Sequence, residues 1–307
     1  MNRASGTRDS KSETHRAILL MVAAATLFGA MAFAAKLASA RIPGPQVAFV
    51  RFAIGLLPPL LVPSYRRAAL TFQRFDLLLY RGLFGGMAVL LYFMAIEKID
   101  VGVATLLNYT SPLWSGIFSL LFIGERTTLR VLIPVPVALF GVWLVAGAHT
   151  RPGDILGIGR WELAAMASAL CSGAAVTAMR AARRGENSWA VYASFCLFGL
   201  LVTAPPALAN WRTPAAADWI PLAATALFSI GAQLLLTHSL RWLDAMTVGV
   251  ISQIGVVVAM GLGVALLGET INTAAAIGSI LTIGGVVGVV YITSLARPAA
   301  ESLVAPE

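Results

Sequence analysis

Charge is what this sequence has least of. Charged side chains make up 12% of its 307 residues and hydrophobic ones 58%, with a mean hydropathy of +0.82. No water-soluble surface can be assembled from the remainder, so the chain belongs in a bilayer. Acid is scarcest where it would matter most, because none of the 14 Asp and Glu falls in the middle third of an apolar run. Within the apolar runs no His is grouped with carboxylates, and no Ser or Cys is paired with a base. An intramembrane enzyme, a metal site and a resident cofactor are therefore not indicated. Cys171 and Cys196, the only cysteines, both lie inside apolar runs and read as small buried hydrophobes, not a disulfide. The net charge of +8 comes with no basic stripe or aromatic platform. It is spread over loops that would face anionic membrane lipid, so nucleic acid is not an implied partner.

What is abundant is apolar sequence in lengths of about 20 residues, the length that crosses a bilayer as a helix. Ten such runs occur, at roughly 17–38, 45–63, 77–96, 101–123, 129–147, 162–180, 188–208, 220–240, 245–267 and 273–295. They do not alternate as barrel strands would, so the predicted fold is all-α and polytopic, with about ten transmembrane helices. The apolar core of the first run exceeds that of a signal peptide and further spans follow at once, so it is expected to stay attached despite Ala38-Ser39-Ala40.

A shift of 144 residues lays the second half on the first. Gly124-Glu125 falls on Gly268-Glu269, Asp100 on Asp244, Gly29 on Gly173, Gly55 on Gly199 and Gly141 on Gly285. The chain divides accordingly into a tail (1–15), a five-helix repeat (16–148), a linker (149–160), a second five-helix repeat (161–296) and a tail (297–307). Five crossings is an odd number, so the second repeat enters from the opposite side and the two are inverted. Basic residues favour one side: Arg16, Arg66, Arg67, Arg74, Arg81, Arg126, Arg130, Arg180, Arg183, Arg184 and Arg241, with both tails, against Lys36, Arg41, Lys98, Arg151, Arg160 and Arg212 on the other. The positive-inside rule puts both termini in the cytoplasm of a cell whose inner membrane holds the protein.

Ten spans, the duplication, Arg51 in the second span, and a Pro112-containing fourth span that ends in Gly124-Glu125 and is followed by Gly141 resemble the EamA branch of the drug/metabolite transporter superfamily. The resemblance covers about Arg16 to Leu295. It implies an exporter of small metabolites working by alternating access, and the layout is most similar to amino-acid exporters that handle aromatic substrates. The halves are not identical: Arg51 meets Phe195, and Pro112 meets Val256.

Pro112 cannot donate to the carbonyl of Asn108, and at membrane depth a freed carbonyl is tolerated only beside protein or a water-filled cavity. Thr105, Asn108, Tyr109, Pro112, Ser115 and Ser119 recur at helical spacing, and Gly249, Ser252, Gln253, Met260 and Gly263 repeat the stripe on the ninth span. Asn108, Tyr109, Pro112, Trp114, Ser252, Gln253 and Gln233 are the candidate cavity residues, with Tyr80, Tyr92 and Trp143 as possible aromatic walls. For the small and hydroxylated members, close helix packing is the competing account, and for the aromatics, core or lipid contact. Arg51 is costly at its depth, and either snorkels outward or pairs with Glu97 or Asp100, ahead of touching substrate. Glu125 and Glu269 anchor a helix end or close a gate, with proton carriage a third role, while His238 bonds a neighbouring helix near one surface.

The expected cargo is a small amino acid, apolar or aromatic, moved without proton coupling by a monomer or weak dimer. The alternative is a cationic drug or an adenosyl-type cofactor, moved in either direction, with protons if coupled. Topology is checked directly. With Cys171 and Cys196 replaced by Ala, Arg126→Cys should react with a membrane-impermeant thiol reagent only from the cytoplasm and Gly153→Cys only from outside. Labelling of both from one side would overturn the inversion.

Overall fold

The computed structural model describes residues 4–63, 66–67, 73–122, 133–146, 158–182, 186–239, 243 and 245–295. Among them every regular element longer than one turn is a helix. The first span is Ala4–Ser39, the second Gly44–Gly55 continued by Leu57–Leu61, and the third Phe75–Lys98. The fourth is divided into Val101–Asn108 and Ser111–Phe122, the fifth is Pro134–Ala146, and the sixth is Arg160–Ala182. Ser188–Ala209, Trp219–Ser239, the divided Ala245–Ser252 and Ile254–Leu267, and Thr273–Leu295 complete ten. Seven of these are long and apolar enough to cross a bilayer unaided, while Pro134–Ala146 and Thr273–Gly288 are shorter apolar helices.

The 144-residue register reaches down to helix boundaries. Phe75 and Trp219 open the third and eighth spans, Gly44 and Ser188 the second and seventh, and Val101 and Ala245 the fourth and ninth. Asn108 and Ser252, again 144 apart, each end a half-helix. Packing follows suit. The first span lies along the eighth as the sixth lies along the third, and the first meets the ninth as the sixth meets the fourth. The second and seventh, fourth and ninth, and fifth and tenth each meet their own counterpart. Exchanging the halves leaves these pairings unchanged, as expected for two inverted five-helix repeats about a pseudo-two-fold axis.

Lipid tails are as apolar as leucine, so these helices associate through close packing and not through escape from water. Small residues mark the crossings. A Cβ on Gly29 would lie 2.7 Å from the Gly255 carbonyl, and one on Gly173, its counterpart, 2.7 Å from the Trp114 Cβ. In the fifth–tenth pair a Cβ on Gly141 would meet the Gly278 carbonyl at 2.6 Å, and one on Gly285 would meet Ala138 at 2.6 Å. The main buried cluster is built chiefly from the first to fifth spans, with Phe93, Ile96, Leu107 and Val145 among its members, and is joined by Ala165, Leu222 and Val256 of the second repeat. Cys171 and Cys196 are both free thiols.

Helix ends on one side of the bundle are finished by charged side chains from neighbouring spans. Lys36 Nζ, ending the first span, donates to the Ile96 and Ile99 carbonyls at 2.9 and 2.7 Å, which satisfies the end of the third. Glu97, ending the third, accepts from the Gly44 N–H at 2.7 Å and so caps the second. Gln46, fully buried, exchanges two hydrogen bonds of 2.7 and 2.9 Å with the backbone of Arg212 in the loop before the eighth span.

The crossings make a prediction. Gly141→Val should destabilise the protein in detergent by about 1–3 kcal/mol, because neither Gly278 nor Thr282 can withdraw. Gly261→Ala, at a helical position with nothing within 4 Å of the added Cβ, should stabilise it by about 0.5–1 kcal/mol. Thermal unfolding of the two variants beside the wild type tests both.

Candidate functional site

The fourth span breaks at Tyr109 and Thr110. The Thr110 N–H bonds the Leu107 carbonyl at 3.3 Å and its Oγ1 donates to the same oxygen at 2.7 Å, while the Leu113 N–H reaches back only to Thr110. This is the three-residue bonding that replaces a regular turn where a proline withholds its N–H. Asn108 closes the first half, and its amide donates to Ser168 Oγ of the sixth span at 2.5 Å. Ser168 in turn donates to the Ala88 carbonyl of the third span at 2.8 Å.

The ninth span breaks in register, which its sequence does not announce. Val256 stands where Pro112 stands, yet the Gln253 N–H bonds the Val250 carbonyl at 3.1 Å and the Val256 N–H bonds the Gln253 carbonyl at 3.0 Å. Gln253 is the counterpart of Tyr109. Two residues on, a Cβ at Gly255 would lie 3.1 Å from the Tyr109 hydroxyl and 3.0 Å from the Ala25 carbonyl, so the first span and both breaks meet at one place. Gln253 is 5% exposed, and its Nε2 has no hydrogen-bond partner among the described residues. An unsatisfied buried amide costs about 1–3 kcal/mol, so this group awaits a partner.

The remaining candidates separate. Pro112 and Trp114 are half-buried beside the fourth-span break, and the Trp114 Cβ packs on Gly173. Gln233 is half-buried on the eighth span. Ser252 turns back to the Val248 carbonyl of its own helix at 2.6 Å. Tyr92 is buried, its hydroxyl 2.7 Å from Thr105 Oγ1. Tyr80 and Trp143 stand elsewhere. They are 56% and 52% exposed, stacked on Phe84 and Phe140 of their own helices. Tyr80, Leu83, Phe84 and Met87 form one exposed apolar stripe, the face a helix turns to lipid. His238 is exposed. Glu125 lies outside the described residues.

Glu269 explains the Gly-Glu motif of its own half. Gly268 adopts φ +67°, a left-handed conformation open to glycine, and ends the ninth span. The chain then turns so that the Glu269 N–H bonds the Gly263 carbonyl at 3.2 Å while the carboxylate accepts from the Val101 N–H at 2.8 Å. A residue of the second repeat thereby caps the fourth span of the first. Asp100, the helix's own cap residue, makes no side-chain cap bond.

Arg51 neither reaches the outer interface nor pairs with Glu97 or Asp100, so that expectation is corrected. It is 5% exposed, and its Nε donates to Ser229 Oγ of the eighth span at 2.8 Å. Its guanidinium carbon lies 4.9, 6.0 and 5.6 Å from the ring centres of Phe52, Phe93 and Phe195. Glu97 is unavailable, being engaged with Gly44 and Lys98. Arg81, counted above with the inner surface, is likewise buried at 9% exposure, 4.2 Å from the Phe195 centre. The two Phe195 distances hold the guanidinium carbons within about 10 Å of each other, where like charges repel by about 2 kcal/mol at a protein's effective dielectric. A signal for Arg81 was available: Gly82, Gly85 and Gly86 beside it mark the packed face of its helix.

Comparison with known proteins agrees with this architecture. Residues 15–147 and 159–291 each match the profile of the EamA-like transporter family. The pseudopaline exporter CntI of Pseudomonas aeruginosa (strain UCBPP-PA14) is 29% identical over 282 residues, covering 91% of this chain and 95% of that protein. The threonine/homoserine exporter RhtA of Escherichia coli (strain K12) is 30% identical over 131 residues, 42% of this chain and 41% of its own. A solved crystal structure, 23% identical, superposes with a TM-score of 0.64 over 93% of this chain and 99% of its own, which shows a shared fold.

The cap at Val101 has a pH signature. Burial is the largest influence on the Glu269 carboxyl and raises it above its ordinary value of 4.5, against the bond from Val101; Asp100 adds to the rise and Lys36 opposes it. A raised carboxyl favours the protonated folded state, so its contribution is fully present below the ordinary value and lost as pH rises through the raised one. Unfolding temperatures from about pH 4 to about pH 7 should therefore fall for the wild type relative to Glu269→Gln, which keeps an acceptor for Val101 without titrating. Glu269→Ala, which removes the cap, should be less stable than the Gln variant by about 0.5–2 kcal/mol at every pH.

Proposed function

Because this chain belongs to the EamA-like transporter family, and is an integral membrane transporter and not an enzyme, we propose that it exports small metabolites across the cytoplasmic (inner) membrane, amino acids with apolar or aromatic side chains foremost. The observation that carries this reading is the meeting of two interrupted helices, one from each inverted repeat, at Tyr109 and the unpartnered Gln253 amide. A broken span leaves polar groups at membrane depth only where protein or a water-filled cavity meets them, and paired breaks from two inverted repeats are where transporters of this plan hold their substrate. Two related halves hinged around such a place alternate their access by rocking. Both termini face the cytoplasm in this scheme. Relatives that act as exporters of pseudopaline and of threonine and homoserine support export of small metabolites.

Transport runs down the substrate gradient. No Asp or Glu lies in the middle of any span to carry a proton between the two sides, and an arginine keeps its proton under physiological conditions. The same lack weighs against a cationic drug or adenosyl-type cofactor, which would meet Arg51 and Arg81 with no counter-charge at that depth.

Liposomes holding the purified protein should take up labelled amino acids, and overexpression should raise cellular resistance to toxic analogues. Tyr109→Ala and Gln253→Ala should each reduce uptake at least about tenfold with expression intact, the loss of about 1.4 kcal/mol of interaction. Undiminished uptake in both variants would remove these residues from the cavity, and accumulation driven by a pH gradient and abolished by a protonophore would refute facilitated movement.

A further inference from the structure

We propose that Arg51 and Arg81 together form an anion seat, and that the cargo it fits carries two carboxylates; this rests on the export of small metabolites read above and puts a dicarboxylate in place of its apolar or aromatic amino acids. The two guanidinium groups are buried in the bundle, one from the second span and one from the third, and both lie over Phe195 of the seventh. Among the described residues neither forms an ion pair, and two of their nitrogens, Arg51 Nη1 and Arg81 Nε, are buried without any hydrogen-bond partner. The hydrogen-bond partner of Arg51, Ser229, is uncharged.

Buried charge persists where something compensates it. Aromatic faces offset part of the cost of one guanidinium. They do not cancel the mutual repulsion of two, nor satisfy N–H donors lying in the plane of the group. A carboxylate does both, because two parallel N–H donors fit its two oxygens and its charge neutralises one arginine. One carboxylate leaves a positive charge over, and two leave none. The seat also adjoins the helix breaks. Arg51 faces the Phe93 ring at 6.0 Å, and the adjacent Tyr92 hydrogen-bonds Thr105 of the first half of the fourth span, so an acid group at Arg51 and a polar group at Tyr109 and Gln253 can belong to one molecule. Room for the Arg81 head comes from Gly85, where a Cβ would collide with its Nη1 and lie 2.8 Å from the Phe195 ring.

A net-negative cargo fits the lack of a proton carrier. An inside-negative membrane potential expels anions by itself, by about 2.3 kcal/mol per charge per 100 mV.

The test uses purified full-length protein and reads binding without transport, so it stands or falls separately from the exporter assignment. Thermal unfolding is followed in detergent with glutarate, its monoamide, butyrate and chloride at matched ionic strength. Glutarate at millimolar concentration should raise the unfolding temperature by several degrees, the monoamide and butyrate by less, and chloride least. Arg51→Met and Arg81→Met should each abolish the glutarate shift while leaving the ligand-free protein as stable as the wild type or more so, since each relieves an unpaired buried charge. Arginines that serve only to lock Phe195 would instead give less stable variants. That result, equal stabilisation by chloride and glutarate, no stabilisation by any carboxylate, or a glutarate shift that survives both substitutions would overturn the proposal.

Discussion

Inside a bilayer no water finishes the end of a helix, and the arrangement of this protein depends on how its own side chains do so. Each helix terminus leaves backbone groups without an intrahelical partner, and in lipid each such group is costly. Here the partner comes from another span: Lys36 ends the third, Glu97 starts the second, and Glu269 starts the fourth from across the repeat boundary. These contacts tie the ends of the first, second, third, fourth and ninth spans to one another, and they fix where the fourth span begins. The position of its break, and hence of Tyr109, follows from that starting point.

The two-fold relation explains the scaffold, and its violations explain the chemistry. Crossings at Gly29 and Gly173, or at Gly141 and Gly285, obey it. Arg51 and Phe195 occupy equivalent positions and do opposite things, one contributing a cation and the other an aromatic face for that cation. Tyr109 and Gln253 are likewise equivalent, yet one brings a phenol and the other an amide. A duplication supplies two copies of every wall, and in the function proposed above divergence at a few positions gives the space between them its polarity.

Much of the scaffold was legible in the sequence because bilayer thickness sets the length of the apolar runs, and because glycines and helix-end acids repeat at a fixed shift. The fourth-span break was legible through Pro112, whose missing N–H has a local consequence. The ninth-span break was not, because Val256 carries no such mark and the interruption at Gln253 depends on tertiary contacts. Tyr80 and Trp143 were misplaced because an aromatic ring facing lipid and one facing a cavity look alike along one helix. Arg51 was expected to snorkel outward or to pair with Glu97 or Asp100 because both acids end spans on the same side, but its head is buried in the bundle and Glu97 is needed by the Gly44 N–H. Arg81 was assigned to a surface because it lies near a helix end, although the glycines around it belong to a packed face.

The replacement of Arg51 by Phe195 across the axis has a thermodynamic consequence. If the halves were identical, exchanging their conformations would convert the inward-facing form into the outward-facing one, and the two would have equal free energy. With unlike residues at the equivalent sites the two forms differ in energy, and every 1.4 kcal/mol of difference shifts their ratio about tenfold. In the alternating-access scheme proposed above, the empty carrier therefore rests preferentially on one side, and divergent positions such as this pair contribute to which.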